Sequence, residues 1–339
     1  MSWIGEIDMG KTLIIAEAGV NHNGDFELAK KLVRTAKECG ADIVKFQTFN
    51  TDKLVSRYAP MAEYQKKNTG KDESQKSMLE KLRLSHEQFI ELADYCKHVG
   101  IQFLSTAFDI ESIHFLDPIQ SFWKIPSGEV TNYPYLVEIA KTGKPVVMST
   151  GMCTLDEVRD AVETLKSHGT SDLTILHCTT NYPTPFEEAN LNEMETLQNE
   201  FGCPVGYSDH TQGIKVSLVA AAMGATVLEK HFTLNRNMPG PDHKASLEPD
   251  ELKSLVDGVR EIELIKGSGE KKPAVSELEN RTVARKSIVA ARDIQKGETF
   301  TEENLTTKRP GNGVSPMKWK EVLGTKAIRD FKEDELIEL

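Results

Sequence analysis

Leu13-Ile14-Ile15-Ala16-Glu17-Ala18 opens the pattern that decides the fold. It is a short apolar run with little alternation, as expected of a strand buried on both faces. A polar turn follows, Asn23-Gly24-Asp25. Then Leu28, Ala29, Leu32, Val33 and Ala36 fall on one face of a helix. The unit recurs. Further apolar runs stand at Asp42–Gln47, Gln102–Thr106, Phe122–Pro126, Pro145–Thr150, Leu173–Cys178, Pro204–Tyr207 and Thr226–His231, which makes eight. Phe89, Leu92, Ala93 and Cys96 repeat the helical spacing. So do Leu252, Leu255, Val256, Val259 and Ile262, with Pro249 suited to a first turn. Gly100, Gly143 and Gly169 punctuate the junctions. Eight strand–helix units over residues 1–266 predict an α/β fold, a (β/α)8 barrel. No Gly-x-Gly-x-x-Gly follows the first run, which counts against a doubly wound dinucleotide fold.

Outside the repeat, the chain of 339 residues leaves room for one small domain. Residues 267–279, rich in Gly, Ser, Lys, Pro and Glu, read as a linker. Residues 280–339 are turn-rich with weak helical periodicity, a small module that would gain by docking on a larger one. Residues 50–85 form a polar insertion after the second strand. In a barrel that is the active-site side, so it is either a substrate-covering loop or a surface excursion. A net charge of −11 excludes a general affinity for nucleic acid or an anionic membrane, so an anionic ligand would need a local basic cluster. The longest apolar stretch, Val216–Leu228, is interrupted by Ser217, Gly224 and Thr226 and is too short for a bilayer, which takes ~20 residues. The N-terminus has no basic-then-apolar leader pattern. The five cysteines are scattered and form no Cys-x-x-Cys pair, which fits a reducing cytoplasm and argues against a thiolate zinc site.

Barrel enzymes carry their chemistry at the carboxyl ends of the strands. Here those ends are all polar. Lys45, Lys124, Ser127 and Ser149 offer two cations and two hydroxyls, the set a phosphate dianion needs. Schiff-base chemistry is an alternative use of such a lysine. His210 and His231 end adjacent strands and could hold a divalent transition metal, with water, substrate or a carboxylate such as Glu229 or Asp209 completing the shell. Either imidazole could equally be a packed core histidine, and His177 reads as packed. Glu17 ends an apolar strand, where burial would raise its pKa and suit it to acid–base work. Asp242 could bind a sugar hydroxyl or cap a turn.

These strand ends also carry a resemblance across essentially the whole chain. Ala16-Glu17-Ala18-Gly19-Val20-Asn21-His22-Asn23-Gly24, Lys45-Phe46-Gln47-Thr48-Phe49, Lys124-Ile125-Pro126-Ser127-Gly128-Glu129, Ser149-Thr150-Gly151-Met152, Tyr182-Pro183-Thr184-Pro185, Ser208-Asp209-His210-Thr211, Glu229-Lys230-His231-Phe232-Thr233 and Lys308-Arg309-Pro310-Gly311-Asn312-Gly313 resemble the sialic acid synthase family. The tail resembles its C-terminal antifreeze-like (SAF) domain of short strands and turns. The resemblance implies condensation of phosphoenolpyruvate with the open-chain aldehyde of an acetamido-sugar, releasing phosphate by carbon–oxygen cleavage. It implies a divalent metal, usually Mn2+ with Co2+ or Mg2+ as alternatives, on His210 and His231. Phosphoenolpyruvate would be held by Lys45, Thr106, Lys124, Ser127 and Ser149. The sugar would meet Glu17, Gln47, Asn68, Tyr182 and Asp242, and Arg309 would reach over the barrel mouth of the other subunit in a domain-swapped homodimer. Thr180 stands where some members carry Asn, which puts the role of Asn181 in doubt.

The reading leans to N-acetylneuraminate as product, made from N-acetylmannosamine. The alternative is N,N'-diacetyllegionaminate, made from 2,4-diacetamido-2,4,6-trideoxy-mannose. A more distant rival is a Schiff-base aldolase using Lys45, Lys124 or Lys230, which borohydride would trap. A non-enzymatic rival makes the tail an ice-binding surface, although its charged residues suit a lid over an anion better.

Overall fold

The structure, a computed structural model, describes residues 11–56, 58–59 and 74–339. They fall into two compact units, Met1–Gly267 and Ser268–Leu339.

In the first unit, eight parallel strands are each followed by helical segments. They are β1 Leu13–Gly19, β2 Ile43–Thr48, β3 Gln102–Ala107, β4 Trp123–Ile125, β5 Val146–Ser149, β6 Leu173–Cys178, β7 Val205–Asp209 and β8 Val227–His231. Their spatial order is β3-β2-β1-β8-β7-β6-β5-β4, a nearly closed barrel. The hydrogen-bonded ladder is open between β3 and β4. There the Ser105 N–H donates to the side chain of buried Gln120 (2.9 Å), so the backbone donor is still paired.

The period of two along a strand sorts every position into inside or outside. Leu13, Ile15, Ile43, Leu104, Phe122, Val147, Leu176 and Val227 form one apolar layer in the barrel's interior. Residues of the other parity, such as Ile14, Val44, Trp123, Met148, Ile175, Tyr207 and Leu228, pack into the separate core beneath the helices. Gly206 is the inward position where no side chain fits: a Cβ there would lie 2.2 Å from the Val227 carbonyl oxygen and 2.7 Å from Leu176 Cδ2.

The helices read from sequence pack as their spacing predicts. Phe26–Glu38 buries Ala29, Leu32, Val33 and Ala36, and Asp25 caps it by accepting from the Leu28 N–H. Pro249–Lys266 buries Leu252, Leu255, Val256 and Val259. The polar loop after β1 does structural work as well. Asn21 donates to Phe232 O (2.9 Å) and Ser246 Oγ (3.0 Å), tying the end of β1 to the segment beyond β8. Of the insertion 50–85, short helices at Thr51–Leu54 and Gln75–Glu80 are described; Asn68 lies outside the described residues.

The second unit has its own core, built on Ile288, Ile294, Phe300, Leu305, Val322, Phe331 and Ile337. An antiparallel pair, β9 Ser287–Ala290 and β10 Leu305–Lys308, anchors it. Short helical segments at Val275–Glu277, Leu278–Ala284, Pro316–Lys318 and Trp319–Val322, with turns and isolated bridges, make up the rest. Among the described residues, no helix is long and apolar enough to cross a membrane.

Candidate active site

Continuing the inward parity beyond the apolar layer turns the barrel's interior from greasy to ionic. After Leu13 and Ile15 comes Glu17; after Ile43, Lys45 and Gln47; after Leu104, Thr106. After Phe122 comes Lys124; after Val147, Ser149; after Leu176, Cys178; after Val227, Glu229 and His231. These side chains line a cavity of ≈ 440 Å³, with Ser127, Thr180, Tyr182, Ser208, His210 and Asp242 also in its wall. The residues that the resemblance assigns to the site line this cavity, apart from one that is undescribed and one that belongs to the second unit. Asn68 is undescribed, and Arg309 belongs to the second unit, where it is exposed and its Nε donates to Ala284 O (3.0 Å).

Strand register puts Glu17 level with both Lys45 and His231. The Lys45 Nζ lies 2.7 Å from Glu17 Oε2 and 3.8 Å from Glu229 Oε2, and donates to Thr106 Oγ1 at 3.2 Å. The Lys124 Nζ donates to Ser149 Oγ (2.7 Å) and lies 3.4 Å from Glu229 Oε1. Glu229 thus sits between two ammonium groups and also accepts from Ser208 Oγ (3.0 Å). Burial alone would push Glu229 up, but Lys124 and Lys45 overcome it and hold the carboxyl at about 2. Glu17 goes the other way. Burial raises it, Lys45 opposes, and the neighbouring Glu229 charge adds to the rise. Burial lowers Lys124, while in Lys45 the Glu17 and Glu229 charges outweigh burial and raise it. The two neighbouring carboxylates thus carry opposite shifts: Glu229 stays ionised between two ammonium groups, and Glu17 holds a proton more readily than a free carboxyl.

Beside them stand the two imidazoles, ring centroids 5.6 Å apart, with the Tyr182 ring 4.1 Å from His210 and 5.8 Å from His231. His210 Nδ1 lies 2.8 Å from the Thr179 carbonyl oxygen. That carbonyl accepts the Nδ1 proton, so Nε2 is the nitrogen that carries the lone pair whenever the ring is neutral, while burial, which lowers the ring's pKa, is outweighed by Cys178 and this carbonyl, which raise it. Burial, His210 and Lys45 keep His231 neutral, well below the usual imidazole range, and its Nδ1 is buried with no hydrogen-bond partner among the described residues. An orphaned buried nitrogen beside a carbonyl-oriented imidazole fits a metal ion. Among the described residues no three His, Cys, Asp or Glu cluster as a metal cage. Such an ion would therefore rest on two protein nitrogens, with its other positions open.

Parity also settles the residues left open by sequence. Asp209 and Lys230, each suggested for the chemistry, point outward and pair with one another at 2.9 Å. Asp209 is therefore not a metal ligand, nor Lys230 an imine former in this cavity. His177 is packed, with Nε2 2.7 Å from Ala189 O. Thr180, not the exposed Asn181, lines the cavity, and its buried hydroxyl has no hydrogen-bond partner among the described residues. Gly151 makes room for it: a Cβ there would lie 2.2 Å from Thr180 Oγ1, and the Gly151 N–H donates to Ser127 Oγ (2.9 Å). Sequence reading passed over Ser208 and Cys178, and saw Glu229 only as a metal ligand. The inward parity was the signal that could have found all three.

Residues 32–271 match the NeuB family and residues 285–338 the SAF domain. The chain belongs to the NeuB family. It is an enzyme, a transferase of the nonulosonic acid synthase kind. An N,N'-diacetyllegionaminic acid synthase of Campylobacter jejuni is 54% identical over 97% of this chain and 99% of its own. A protein of the same description from Legionella pneumophila is 50% identical over 92% of this chain and 89% of its own. A solved N-acetylneuraminic acid synthetase of Leptospira borgpetersenii superposes with TM-score 0.70 at 32% identity, covering 80% of this chain and 90% of that one. The NeuB match accounts for the barrel's polar mouth, and the SAF match for the second unit.

Proposed function

We propose that this chain makes N,N'-diacetyllegionaminate, joining phosphoenolpyruvate, water and 2,4-diacetamido-2,4,6-trideoxy-mannose and releasing phosphate. The observation that carries the sugar is the 54% and 50% identity to two N,N'-diacetyllegionaminic acid synthases, against 32% to the N-acetylneuraminic acid synthetase. It reverses the order in which sequence reading placed the two sugars. The ionic cup supports the chemistry.

Lys45 and Lys124, with Thr106, Ser127 and Ser149, receive the phosphate and carboxylate of phosphoenolpyruvate. As the anion arrives it takes over from Glu229 as counter-charge to the two ammonium groups. A divalent metal, Mn2+ by preference, held by His210 and His231 supplies Lewis acidity toward the sugar's aldehyde. Gln47, Tyr182 and Asp242 orient the sugar so that its aldehyde carbon faces carbon 3 of phosphoenolpyruvate. As that carbon–carbon bond forms, positive charge develops at carbon 2, and water adds there. Glu17, raised by burial and 2.7 Å from Lys45, takes one proton of that water, and one proton ends on the former aldehyde oxygen, which becomes a hydroxyl. The hydroxyl left on carbon 2 gives its proton to the departing phosphate as the carbon–oxygen bond breaks, phosphate leaves with the bridging oxygen, and the lysines hold it as its charge grows. The assembly is a cytoplasmic homodimer in which the partner subunit's Arg309 covers the mouth and excludes water.

Phosphate release from phosphoenolpyruvate against a panel of acetamido-sugars tests this reading. The trideoxy diacetamido sugar is expected to exceed N-acetylmannosamine at least tenfold in kcat/KM. Equal or reversed preference would refute it.

A further inference from the structure

The residues immediately before the two imidazoles, Asp209 and Lys230, lie opposite one another in the β7–β8 ladder and point away from the cavity. Both are buried, at 1% and 2% exposure, in the apolar layer between strands and helices. The Lys230 Nζ is 2.9 Å from Asp209 Oδ2. Around this pair the bonding converges on the backbone of one residue, Thr211. Asp209 Oδ1 accepts from the Thr211 N–H (2.7 Å), and the Lys230 Nζ donates to the Thr211 carbonyl (2.7 Å). Ser217 Oγ, on the following helix, donates to Asp209 Oδ2 (2.5 Å). The Thr184 N–H donates to His210 O at 2.9 Å. The backbone that carries His210 is thereby clamped by Lys230, whose next neighbour in the chain is His231.

A buried ion pair is a costly way to fill space. Apolar residues of similar volume are commonly as stabilising or more so, and the pair's value then lies in fixing geometry. We propose that Asp209 and Lys230 are positioning residues that set the separation and tilt of the His210 and His231 rings. They would thereby tune the affinity of the site those rings form. The inference rests on the reading of these two imidazoles as metal ligands.

Mn2+ titration of the metal-stripped, full-length protein, followed by the electron paramagnetic resonance signal of free Mn2+, tests it. Four proteins are compared: wild type, His231→Ala, the uncharged double variant Asp209→Leu/Lys230→Met, and Ser217→Ala, which removes a single bond to Asp209. The double variant leaves the buried Thr211 N–H, Thr211 carbonyl and Ser217 hydroxyl without these partners, so it is expected to melt below wild type and, while folded, to bind Mn2+ 10–100-fold more weakly. Ser217→Ala should show a smaller loss in the same direction. If the double variant folds and binds Mn2+ like wild type while His231→Ala has lost it, the positioning role is wrong and the metal site stands. If His231→Ala binds as wild type does, the metal reading itself fails and the proposal with it. Should the double variant not fold, an unchanged Mn2+ affinity in Ser217→Ala overturns the proposal, and a weakened one supports it.

Discussion

Asp242 lies in the cavity wall with its carboxyl pushed up to about 6, first by burial and then by the charge on Glu17, with His210 opposing. Its ordinary value is 3.8. A carboxyl raised by folding favours the fold when protonated and penalises it when ionised. The stability it leaves intact below pH 3.8 is lost as pH rises through about 6. For the full shift the penalty at pH 7 is about 3 kcal/mol. Solvent reaches part of this side chain, so the expected range is roughly 1–3 kcal/mol. The backbone carbonyl of Asp242, not its carboxyl, accepts from Ser246 Oγ (2.7 Å) and from the Ala245 N–H (3.2 Å), so Asp242→Asn should leave the turn intact. The variant should therefore be more stable than wild type by that amount at pH 7, with the gap closing toward pH 4. Its KM for the sugar should rise roughly tenfold, the trade of stability for function expected at a binding site. Urea unfolding of the metal-stripped proteins between pH 4 and 8 reads the first effect, and steady-state kinetics the second. An Asn variant no more stable than wild type at pH 7, or a gap independent of pH, would mean that the Asp242 carboxyl is not raised by folding.

Other perturbations separate the parts of the site. Lys124→Met removes the ammonium paired with Ser149 and Glu229; a lost charge-assisted contact predicts a KM for phosphoenolpyruvate raised roughly a hundredfold, seen in initial-rate assays. His210→Ala should cut kcat roughly a thousandfold, the several kcal/mol a Lewis acid supplies, while phosphoenolpyruvate still binds by calorimetry. Gly206→Ala drives a Cβ into the Val227 carbonyl and should cost about 3 kcal/mol or more, read as a fall in melting temperature with no change in the kinetic constants of the folded fraction.

The barrel was legible because each strand run is bounded by turn chemistry and buried on both faces. Leu13–Ala18 read from sequence differs from β1 by one residue. The site was legible to nearly the same degree. Glu17, Lys45, Lys124, Ser149, His210 and His231 all lie within three residues of a strand's carboxyl end, and positions of one parity there must converge. What sequence reading lacked was register. Without it, Asp209 and Glu229 look interchangeable as ligands, although one faces the helices and the other sits between two lysines. Thr180 and Asn181 are likewise neighbours on opposite faces, and only the backbone decides which enters the cavity. The sugar was not legible either, because no residue could be placed from sequence against the sugar's carbon-4 and distal substituents.

One mass spectrum tests whether this ring of lysines, carboxylates and imidazoles adds phosphoenolpyruvate to a sugar aldehyde and expels phosphate by carbon–oxygen cleavage. Phosphoenolpyruvate labelled with a heavy isotope in its bridging oxygen is incubated with the enzyme, Mn2+ and 2,4-diacetamido-2,4,6-trideoxy-mannose. The label is expected to leave in the phosphate, with none released without the sugar. Label retained in the sugar acid, or phosphate released at the same rate with no sugar present, would contradict it.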